Sequence, residues 1–226
     1  MSELIVERMD NNRLPLNECH LTEDDSTLAY TFFAKDCMCS SGVLIISDQP
    51  QGWTVSVNDS LVQPHERVHL TGPQDGCYFL EDRLQSGENT VVFRRTDPSA
   101  VAPVATVAGD FSVDPFAEGG WCLMPSRLLG PGSWAQQGMP FYTREVSYSR
   151  SFAVPDKIGR RILKLGKWSG KECEVWIDGQ KAGVLTPKKE KLNVGHFLTP
   201  GENIVEVLCF GIGEGDCGLL EEYTIE

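Results

Sequence analysis

The stretch Cys173-Glu174-Val175-Trp176-Ile177-Asp178-Gly179 decides the fold, because it combines a strand and a turn in seven residues. Its small apolar residues alternate with polar or larger ones, which is the period-two pattern of a strand with one buried face. The Asp-Gly pair that follows tolerates positive φ, so we expect a tight hairpin whose second strand spans residues 180–184. In this pattern Trp176 points away from the core, where a covering loop or a ligand would account for an outward aromatic ring.

A second copy of the pattern occurs 120 residues earlier, in Trp53-Thr54-Val55-Ser56-Val57-Asn58-Asp59. Other segments repeat in the same order: Gly87-Glu88-Asn89 corresponds to Gly201-Glu202-Asn203, and Phe33 and Phe152 each end a strand-like run before the hairpin. The spacing of 114 to 120 residues is far longer than the roughly 20–50 residues of solenoid repeats. The sequence therefore predicts a duplicated domain, and we place the boundary between residues 115 and 116.

Short strand patterns separated by Gly, Pro, Asn and Asp clusters run through both halves, and no window has the period of a helix. We expect an irregular N-terminal lead-in up to residue 27, with one short strand, and an irregular segment from Asp114 to Pro140. This organisation predicts an all-β fold of two tandem jelly-roll, galactose-binding-domain-like β-sandwiches, in residues 1–115 and 116–226.

The charge of the chain excludes two classes of partner. Its 226 residues include 20 basic and 32 acidic side chains, a formal net charge of −12. Nucleic acids and anionic membranes bind basic surfaces, so we expect neither as a partner.

No apolar run approaches the length of a membrane span and the N-terminus has no apolar signal core, so we expect a soluble chain without a transmembrane segment or signal peptide. The compartment is not indicated.

Eight cysteines are spread along the chain, too sparsely for the disulfide framework of a small secreted domain. Cys173 and Cys209 fall at inward strand positions, where a free thiol behaves as a small apolar side chain. Cys37-Met38-Cys39 has no second ligand pair at zinc spacing. We therefore expect structural or free thiols rather than disulfides or metal ligands, and no cofactor; a structural calcium ion is left open.

Four segments of the second half form a series: Trp134–Tyr142, Val146–Phe152, Glu174–Gly179 and Pro200–Asn203. Together they resemble the jelly-roll sugar-binding domain of glycoside hydrolase family 2, in which Asn is usual at the position of Asp178. The departure keeps the turn chemistry, because both residues tolerate the left-handed conformation.

A second series lies in the first half: Leu14–His20, Val55–Asn58, Gly87–Asn89 and Gly109–Val113. It resembles the degenerate partner sandwich of large bacterial glycoside hydrolases of the α-L-rhamnosidase-like kind. In those enzymes the catalytic carboxylates lie in a separate barrel of alternating strands and helices, a pattern that this sequence lacks. The resemblance implies a non-catalytic accessory module that binds carbohydrate weakly or braces a catalytic glycoside hydrolase domain, and that has no activity of its own.

Aromatic residues supply the candidate binding site, since sugar rings stack their apolar C–H faces on exposed aromatic side chains while their hydroxyls pair with polar groups. The candidate carbohydrate-binding residues are Trp134, Tyr142, Trp176 and Trp121, with Arg144, Glu145 and Asp110 as polar partners. The alternative is that Trp134 and Tyr142 plug the sandwich and Trp176 packs on a neighbouring domain. The chain would then be a protein-interaction or structural module without sugar affinity.

The remaining charged residues indicate no catalytic site and no metal site. We interpret Glu81-Asp82, Glu214-Gly215-Asp216 and Glu221-Glu222 as solvated surface carboxylates, whereas glycoside hydrolysis needs two carboxylates that face each other about 5–10 Å apart. His65 and His69 fall on one face of an expected strand without a third ligand nearby.

Overall fold

The computed structural model describes residues 3–35, 43–47, 51–65, 76–80, 82–155, 159–211, 217–219 and 221–226. Over these ranges the fold is all-β, as the sequence predicts, with short 3-10 turns at Leu16–Glu18 and Ala135–Gln137. The chain divides into two compact units. The N-terminal unit is Asn11–Arg127, and the C-terminal unit combines Leu128–Glu226 with Met1–Asp10.

The strands are short, and turns rich in Gly, Pro, Asn and Asp separate many of them. In chain order they are β1 (Ile5–Arg8), β2 (Asn12–Pro15), β3 (His20–Asp24), β4 (Thr27–Ala34), β5 (Leu44–Ser47), β6 (Trp53–Val57), β7 (Ser60–Val62), β8 (Gly76–Phe79), β9 (Gly87–Arg95), β10 (Ala105–Gly109), β11 (Phe111–Pro115), β12 (Trp121–Pro125), β13 (Glu145–Val154), β14 (Ile162–Lys164), β15 (Trp168–Ser169), β16 (Glu172–Ile177), β17 (Gln180–Leu185), β18 (Lys191–Asn193), β19 (Gly201–Phe210), β20 (Gly218–Leu219) and β21 (Thr224–Ile225).

The N-terminal unit contains a four-stranded sheet in the order β2-β10-β5-β8 and a larger sheet in the order β11-β12-β4-β9-β6-β7, with β3 paired to β4. Strands β12 and β4 are parallel, whereas β4, β9 and β6 are antiparallel neighbours. Alternation buries Phe32, Val55 and Phe93 of the larger sheet, and Leu14 and Val107 of the smaller one. Each such side chain contributes about 1.5–3 kcal/mol by leaving water, so the two buried faces stabilise this unit as a sandwich.

The C-terminal unit is built on a five-stranded antiparallel sheet in the order β1-β13-β19-β16-β17. A three-stranded sheet, β18-β14-β21, and a two-stranded sheet, β15-β20, complete it. Inward side chains of these sheets, among them Tyr148, Val175, Val207 and Leu163, form one hydrophobic core with Tyr223. The outer face of the five-stranded sheet carries polar side chains together with half-buried and exposed apolar ones.

The central strands of the two large sheets correspond to each other. The order β4-β9-β6-β7 of one unit matches β13-β19-β16-β17 of the other. Val57 lies opposite Val91 in the N-terminal unit, and Ile177 lies opposite Val205 in the C-terminal unit. These pairs reproduce the sequence offsets of 120 and 114 residues, so the repeated segments of the sequence occupy equivalent places in the fold.

The Gly-Glu-Asn segment folds in the same way in both units. The buried Asn203 side chain donates from Nδ2 to the carbonyls of Thr199 (2.7 Å) and Gly201 (3.0 Å), and its Oδ1 accepts from the Thr199 amide (2.8 Å). Asn89 makes the same three contacts with Gln85 and Gly87. In each unit the asparagine therefore satisfies the backbone of the loop that leads into the long strand.

The two hairpins also share their turn. Asp178 and Gly179 have φ values of 48° and 78°, and Asn58 and Asp59 have φ values of 47° and 64°. Positive φ at both central residues is the two-residue hairpin turn whose twist matches that of the flanking strands. The turn predicted from the Asp-Gly pair is therefore confirmed.

The register changes one predicted correspondence. Asn203 lies opposite Phe152, whereas Asn89 lies opposite Phe32. The equivalent of Phe152 is therefore Phe32, and the predicted equivalent, Phe33, points to the other face of its strand because neighbouring strand residues alternate.

The division between the units differs from the predicted one at residues 115 and 116. Strand β11 pairs with β12, which extends to Pro125, so the N-terminal unit runs on to Arg127. Strand β1 pairs with β13 and belongs to the C-terminal unit. The stretches predicted as irregular thus contain strands β1 to β3 and β12, whose short, turn-flanked patterns are weak signals in a single sequence.

Some predicted features lie outside the described residues. These are His69 and the strand expected around it, the Cys37–Cys39 pair, and the carboxylates of Glu81, Glu214 and Asp216.

Candidate functional site

Trp134 and Tyr142 lie in the core of the C-terminal unit. Trp134 follows the Gly-Pro-Gly-Ser turn, where its side chain is 1% exposed and its Nε1 donates to the Tyr148 hydroxyl at 2.8 Å. Tyr142 is 2% exposed and meets Trp134 edge to face, with ring centres 5.9 Å apart. Neither ring has a free face on which a sugar could stack, which agrees with the alternative that these residues plug the sandwich.

The Tyr142 hydroxyl joins the N-terminal segment to strand β13. It accepts hydrogen bonds from the amides of Met9 (3.2 Å) and Asp10 (3.1 Å) and donates to the Glu145 carbonyl (2.8 Å). Burial raises the pKa of Tyr142 to about 12, so the phenol stays neutral at physiological pH. These contacts give Tyr142 a role in attaching β1 to the C-terminal unit.

Arg144 and Glu145 lie beside this junction at the surface. Arg144 Nε is 3.6 Å from Asp10 Oδ2 and 3.7 Å from Glu145 Oε2, and more than half of the Arg144 side chain is exposed. Exposed pairs of this kind contribute between zero and about 1 kcal/mol to stability. The structure thus brings Tyr142, Arg144 and Glu145 together, with the aromatic ring inside and the charges outside.

Trp121 and Asp110 belong to the N-terminal unit, so the seven predicted residues are divided between two units. Trp121 begins β12 opposite Pro115 and is half-buried. Asp110 is exposed at the turn between β10 and β11. The predicted set therefore does not form one platform within either unit.

Trp176 lies on the outer face of the five-stranded sheet, as its alternation with buried neighbours predicts. It belongs to a row of side chains that crosses the sheet in register: Ile5, Ser149, Glu206, Trp176 and Lys181, on β1, β13, β19, β16 and β17 in turn. Side chains directly opposite each other on one sheet face have Cβ atoms about 4.5–5.5 Å apart, so these five form a continuous strip. We call this strip the Trp176 row.

The indole of Trp176 is held at its edge by a carboxylate. Trp176 Nε1 donates to Glu174 Oε2 at 3.1 Å, and Lys181 Nζ donates to the second oxygen, Oε1, at 2.5 Å. The ammonium also lies 5.9 Å from the centre of the indole ring. Glu174 thus fixes the in-plane orientation of the ring, and Trp176 stays half-buried against the sheet.

Hydroxyl and carboxylate groups of β13 and β19 extend the polar part of this face. Ser147 Oγ donates to Glu206 Oε1 at 2.5 Å, and Ser151 Oγ donates to the Glu202 carboxylate. Glu206 lies opposite Trp176, so Glu174, Lys181 and the Ser147–Glu206 pair place hydrogen-bond donors and acceptors beside the aromatic ring. Such a combination of an apolar platform and fixed polar groups can bind a polyhydroxylated ring.

The sequence predicts the outward position of Trp176 but not the side chains beside it. Glu174 could have been predicted, because residues two apart in a strand lie on the same face, as Glu174 and Trp176 do. Lys181 follows from the hairpin, although only the register shows that it lies opposite Trp176. Ser149 and Glu206 required the strand order β13-β19-β16, for which the sequence contains no local signal.

A groove in the N-terminal unit also has an aromatic lining. Phe33 and Phe116 stack there with ring centres 3.9 Å apart, and the groove has a volume of about 440 Å³. Its carboxylate, Asp114, forms an ion pair with Arg127.

Among the residues that the structure describes, no group of three or more His, Cys, Asp and Glu side chains could hold a metal ion. His65 packs edge to face on Phe79, with ring centres 5.2 Å apart. The same described ranges contain no helix long and apolar enough to cross a bilayer.

No family model matches the chain, and no curated protein matches it. Among solved structures, the chain is similar to a β-glucuronidase of Bifidobacterium dentium, with 25% identity, 43% of this chain and 16% of that chain covered, and a TM-score of 0.32. It is similar to an α-L-rhamnosidase of Streptomyces avermitilis, with 14% identity, 96% and 25% coverage, and a TM-score of 0.33. A rhamnosidase of Novosphingobium sp. PP1Y gives 14% identity, 96% and 24% coverage, and a TM-score of 0.37. The chain thus spans a quarter or less of the length of these enzymes.

Proposed function

We propose that the chain is a non-catalytic accessory module of a carbohydrate-active enzyme, and that its C-terminal unit binds carbohydrate weakly at the Trp176 row. The observation that carries this proposal is the position of Trp176 on the outer face of the sheet, with its indole edge fixed by Glu174. A pyranose would stack its C–H face on the indole. Its hydroxyls would reach the carboxylates of Glu174 and Glu206 and the ammonium of Lys181.

The chemistry of this face sets the expected strength and selectivity. One aromatic ring on an open sheet surface offers a small contact area, so we expect dissociation constants on the order of 0.1–10 mM. Two carboxylates, Glu174 and Glu206, lie beside Trp176 on this face, against the one ammonium of Lys181. Neutral sugars should therefore bind better than uronic acids, whose carboxylates these side chains repel.

The second candidate function is docking of a protein partner, such as a catalytic glycoside hydrolase domain, on the same face. Two exposed isoleucines favour it: Ile5 is 55% exposed and Ile204 is 60% exposed. Apolar side chains of this size, on a face with a half-buried tryptophan, are typical of the centre of a protein interface. This module would brace its partner without binding sugar.

A glycan-array screen of the full chain, followed by calorimetry on each hit, tests the proposal. We expect Trp176→Ala to weaken binding of a neutral glycan at least tenfold, because the stacking surface is lost. The matched control is Leu61→Ala. Leu61 is 56% exposed and lies opposite Ser56 in the equivalent hairpin of the N-terminal unit, as Lys181 lies opposite Trp176.

The outcomes separate the two functions. Binding that Leu61→Ala preserves and Trp176→Ala abolishes supports a sugar site on the Trp176 row. Hits that survive Trp176→Ala would contradict the assigned site. An array without hits would contradict sugar binding and favour the docking function. Circular dichroism of Trp176→Ala should match that of the wild-type chain, because the side chain lies outside the core.

A further inference from the structure

The pair Cys173 and Cys209 is placed for a covalent bond that the sequence did not predict. Cys173 on β16 lies directly opposite Cys209 on β19. Both side chains point into the core of the C-terminal unit, are 0% exposed, and bring their Sγ atoms to 2.9 Å. This contact joins neighbouring strands at the middle of the five-stranded sheet, across 36 residues of chain.

The register shows that this position suits a cross-strand disulfide. Opposite residues in antiparallel strands alternate between hydrogen-bonded pairs and non-hydrogen-bonded pairs, whose Cα atoms are closer, about 4.5 Å apart. The Asp178 amide donates to the Ile204 carbonyl at 2.9 Å, so these residues form a hydrogen-bonded pair. The register runs without a shift from this pair to Cys173 and Cys209, which lie five residues further along each strand. Because the two kinds of pair alternate and five is odd, Cys173 and Cys209 form a non-hydrogen-bonded pair. That Cα separation lies at the short end of the range that disulfides span, about 4.4–6.8 Å.

We propose that Cys173 and Cys209 form an intramolecular disulfide when the chain folds in the presence of a small-molecule disulfide such as oxidised glutathione. The two protein thiols are oxidised and their S–H bonds break. One S–S bond forms between the cysteines, the S–S bond of the oxidant breaks, and two molecules of reduced glutathione carry away the two electrons and two protons. This modification site is independent of the proposed sugar site, which lies on the opposite face of the same strands.

The bond should form during folding rather than in the finished structure. Exchange with an oxidant requires a thiolate, and both the contact with Cys209 and burial raise the pKa of the Cys173 thiol. The core also shields both sulfur atoms from a bulky oxidant. Once formed, the cross-link is protected from reductants in the same way, so its removal should need unfolding or prolonged exposure.

The test is refolding of the denatured, reduced chain in oxidised and reduced glutathione, followed by alkylation of free thiols in denaturant and peptide mass spectrometry. We expect two of the eight cysteines to escape alkylation, in one peptide pair that links Cys173 to Cys209. Alkylation of both, or a link from either one to a third cysteine such as Cys217, would overturn the proposal. Because this peptide mapping uses the wild-type chain, it tests the proposed disulfide without depending on the folding of any cysteine variant.

Thermal unfolding supplies a second readout. The oxidised chain should melt roughly 10 °C or more above the chain refolded with dithiothreitol, because the cross-link restricts the unfolded state. Cys173→Ala should abolish this difference. Cys217→Ala, which removes another buried thiol from the same core, should retain it. A difference that persists in Cys173→Ala would overturn the assignment of the stabilising bond to this pair.

Discussion

The Tyr148 hydroxyl lies at the centre of the C-terminal core, where two buried groups donate hydrogen bonds to it. It accepts hydrogen bonds from Trp134 Nε1 at 2.8 Å and from the Leu219 amide at 3.2 Å. Burial raises the pKa of Tyr148 to about 12, against 10.0 for an ordinary tyrosine. The folded state therefore keeps a proton that the unfolded chain loses at high pH.

The linkage between this proton and folding gives a prediction. The stabilisation is complete below about pH 10 and is lost as the pH rises towards about 12, because only the unfolded tyrosine ionises in that window. Each such tyrosine should lower the free energy of unfolding by up to about 1.4 kcal/mol per pH unit. Urea unfolding followed by tryptophan fluorescence between about pH 9 and pH 12 measures this slope.

Tyr148→Phe is the control for this slope, since it lacks the titrating group. At neutral pH the variant should be less stable than the wild-type chain, because two buried donors lose their acceptor. Its deficit should shrink as the pH passes about 10. A deficit that stays constant across the range would show that Tyr148 does not hold its proton in the folded state.

Single residues also show where sequence reasoning ends. Trp134 and Trp176 are both tryptophans close to turns, yet one is 1% exposed and the other lies on the outer face of a sheet. Trp176 could be placed because it belongs to an alternating strand. Trp134 could not, because the segment around it has no period and its burial depends on contacts with Tyr148 and Gly218, which are distant in sequence.

At the scale of the element, the two hairpin turns differ in their first residue. Asp178 Oδ1 accepts from the Ile204 amide at 2.8 Å. Asn58 Oδ1 accepts from the Thr90 amide at 2.9 Å, and its Nδ2 also donates to the Arg83 carbonyl at 2.7 Å and to Asn89 Oδ1 at 2.8 Å. The Asp178 turn uses only an acceptor oxygen. The Asn58 turn uses both the acceptor oxygen and the N–H donors of the side-chain amide.

Reciprocal exchanges should therefore have unequal effects. We expect Asp178→Asn to change the free energy of unfolding by less than about 0.5 kcal/mol, because the acceptor and the positive φ are both retained. Asn58→Asp should lower it by about 1–3 kcal/mol, because it removes two donated hydrogen bonds and places a carboxylate against the oxygen of Asn89. Urea unfolding of the two variants measures both values, and equal losses would contradict this account.

Asp178→Ala provides the internal comparison for the turn. Alanine loses the acceptor for the Ile204 amide and also tolerates positive φ poorly, so we expect the free energy of unfolding to fall by about 1–3 kcal/mol.

The hairpins themselves were predictable from the sequence, since alternation and turn chemistry are local. Strand order was not, because pairing of β1 with β13, or of β12 with β4, joins segments that share no local signal.

At the scale of the whole molecule, repetition was the most informative signal. Offsets of 114 and 120 residues identified strands that occupy equivalent places in two large sheets. The same repeats did not locate the division at Arg127, because β12 lies in the segment between the repeated parts. Duplication also shows what is particular to the C-terminal unit: Ser56 and Leu61 stand where it has Trp176 and Lys181.

The most direct test of sugar binding at the Trp176 row follows the indole N–H resonances of the full chain during a sugar titration. The five tryptophans give five indole signals, which single Trp→Phe variants assign. D-galactose, L-rhamnose and D-glucuronate would each be added to concentrations on the order of tens of millimolar. We predict that a neutral sugar shifts the Trp176 signal, that D-glucuronate shifts it less, and that the buried Trp134 signal stays in place. A titration that moves the signal of Trp134 or Trp121 while that of Trp176 stays fixed, or that moves none of the five, would contradict the account.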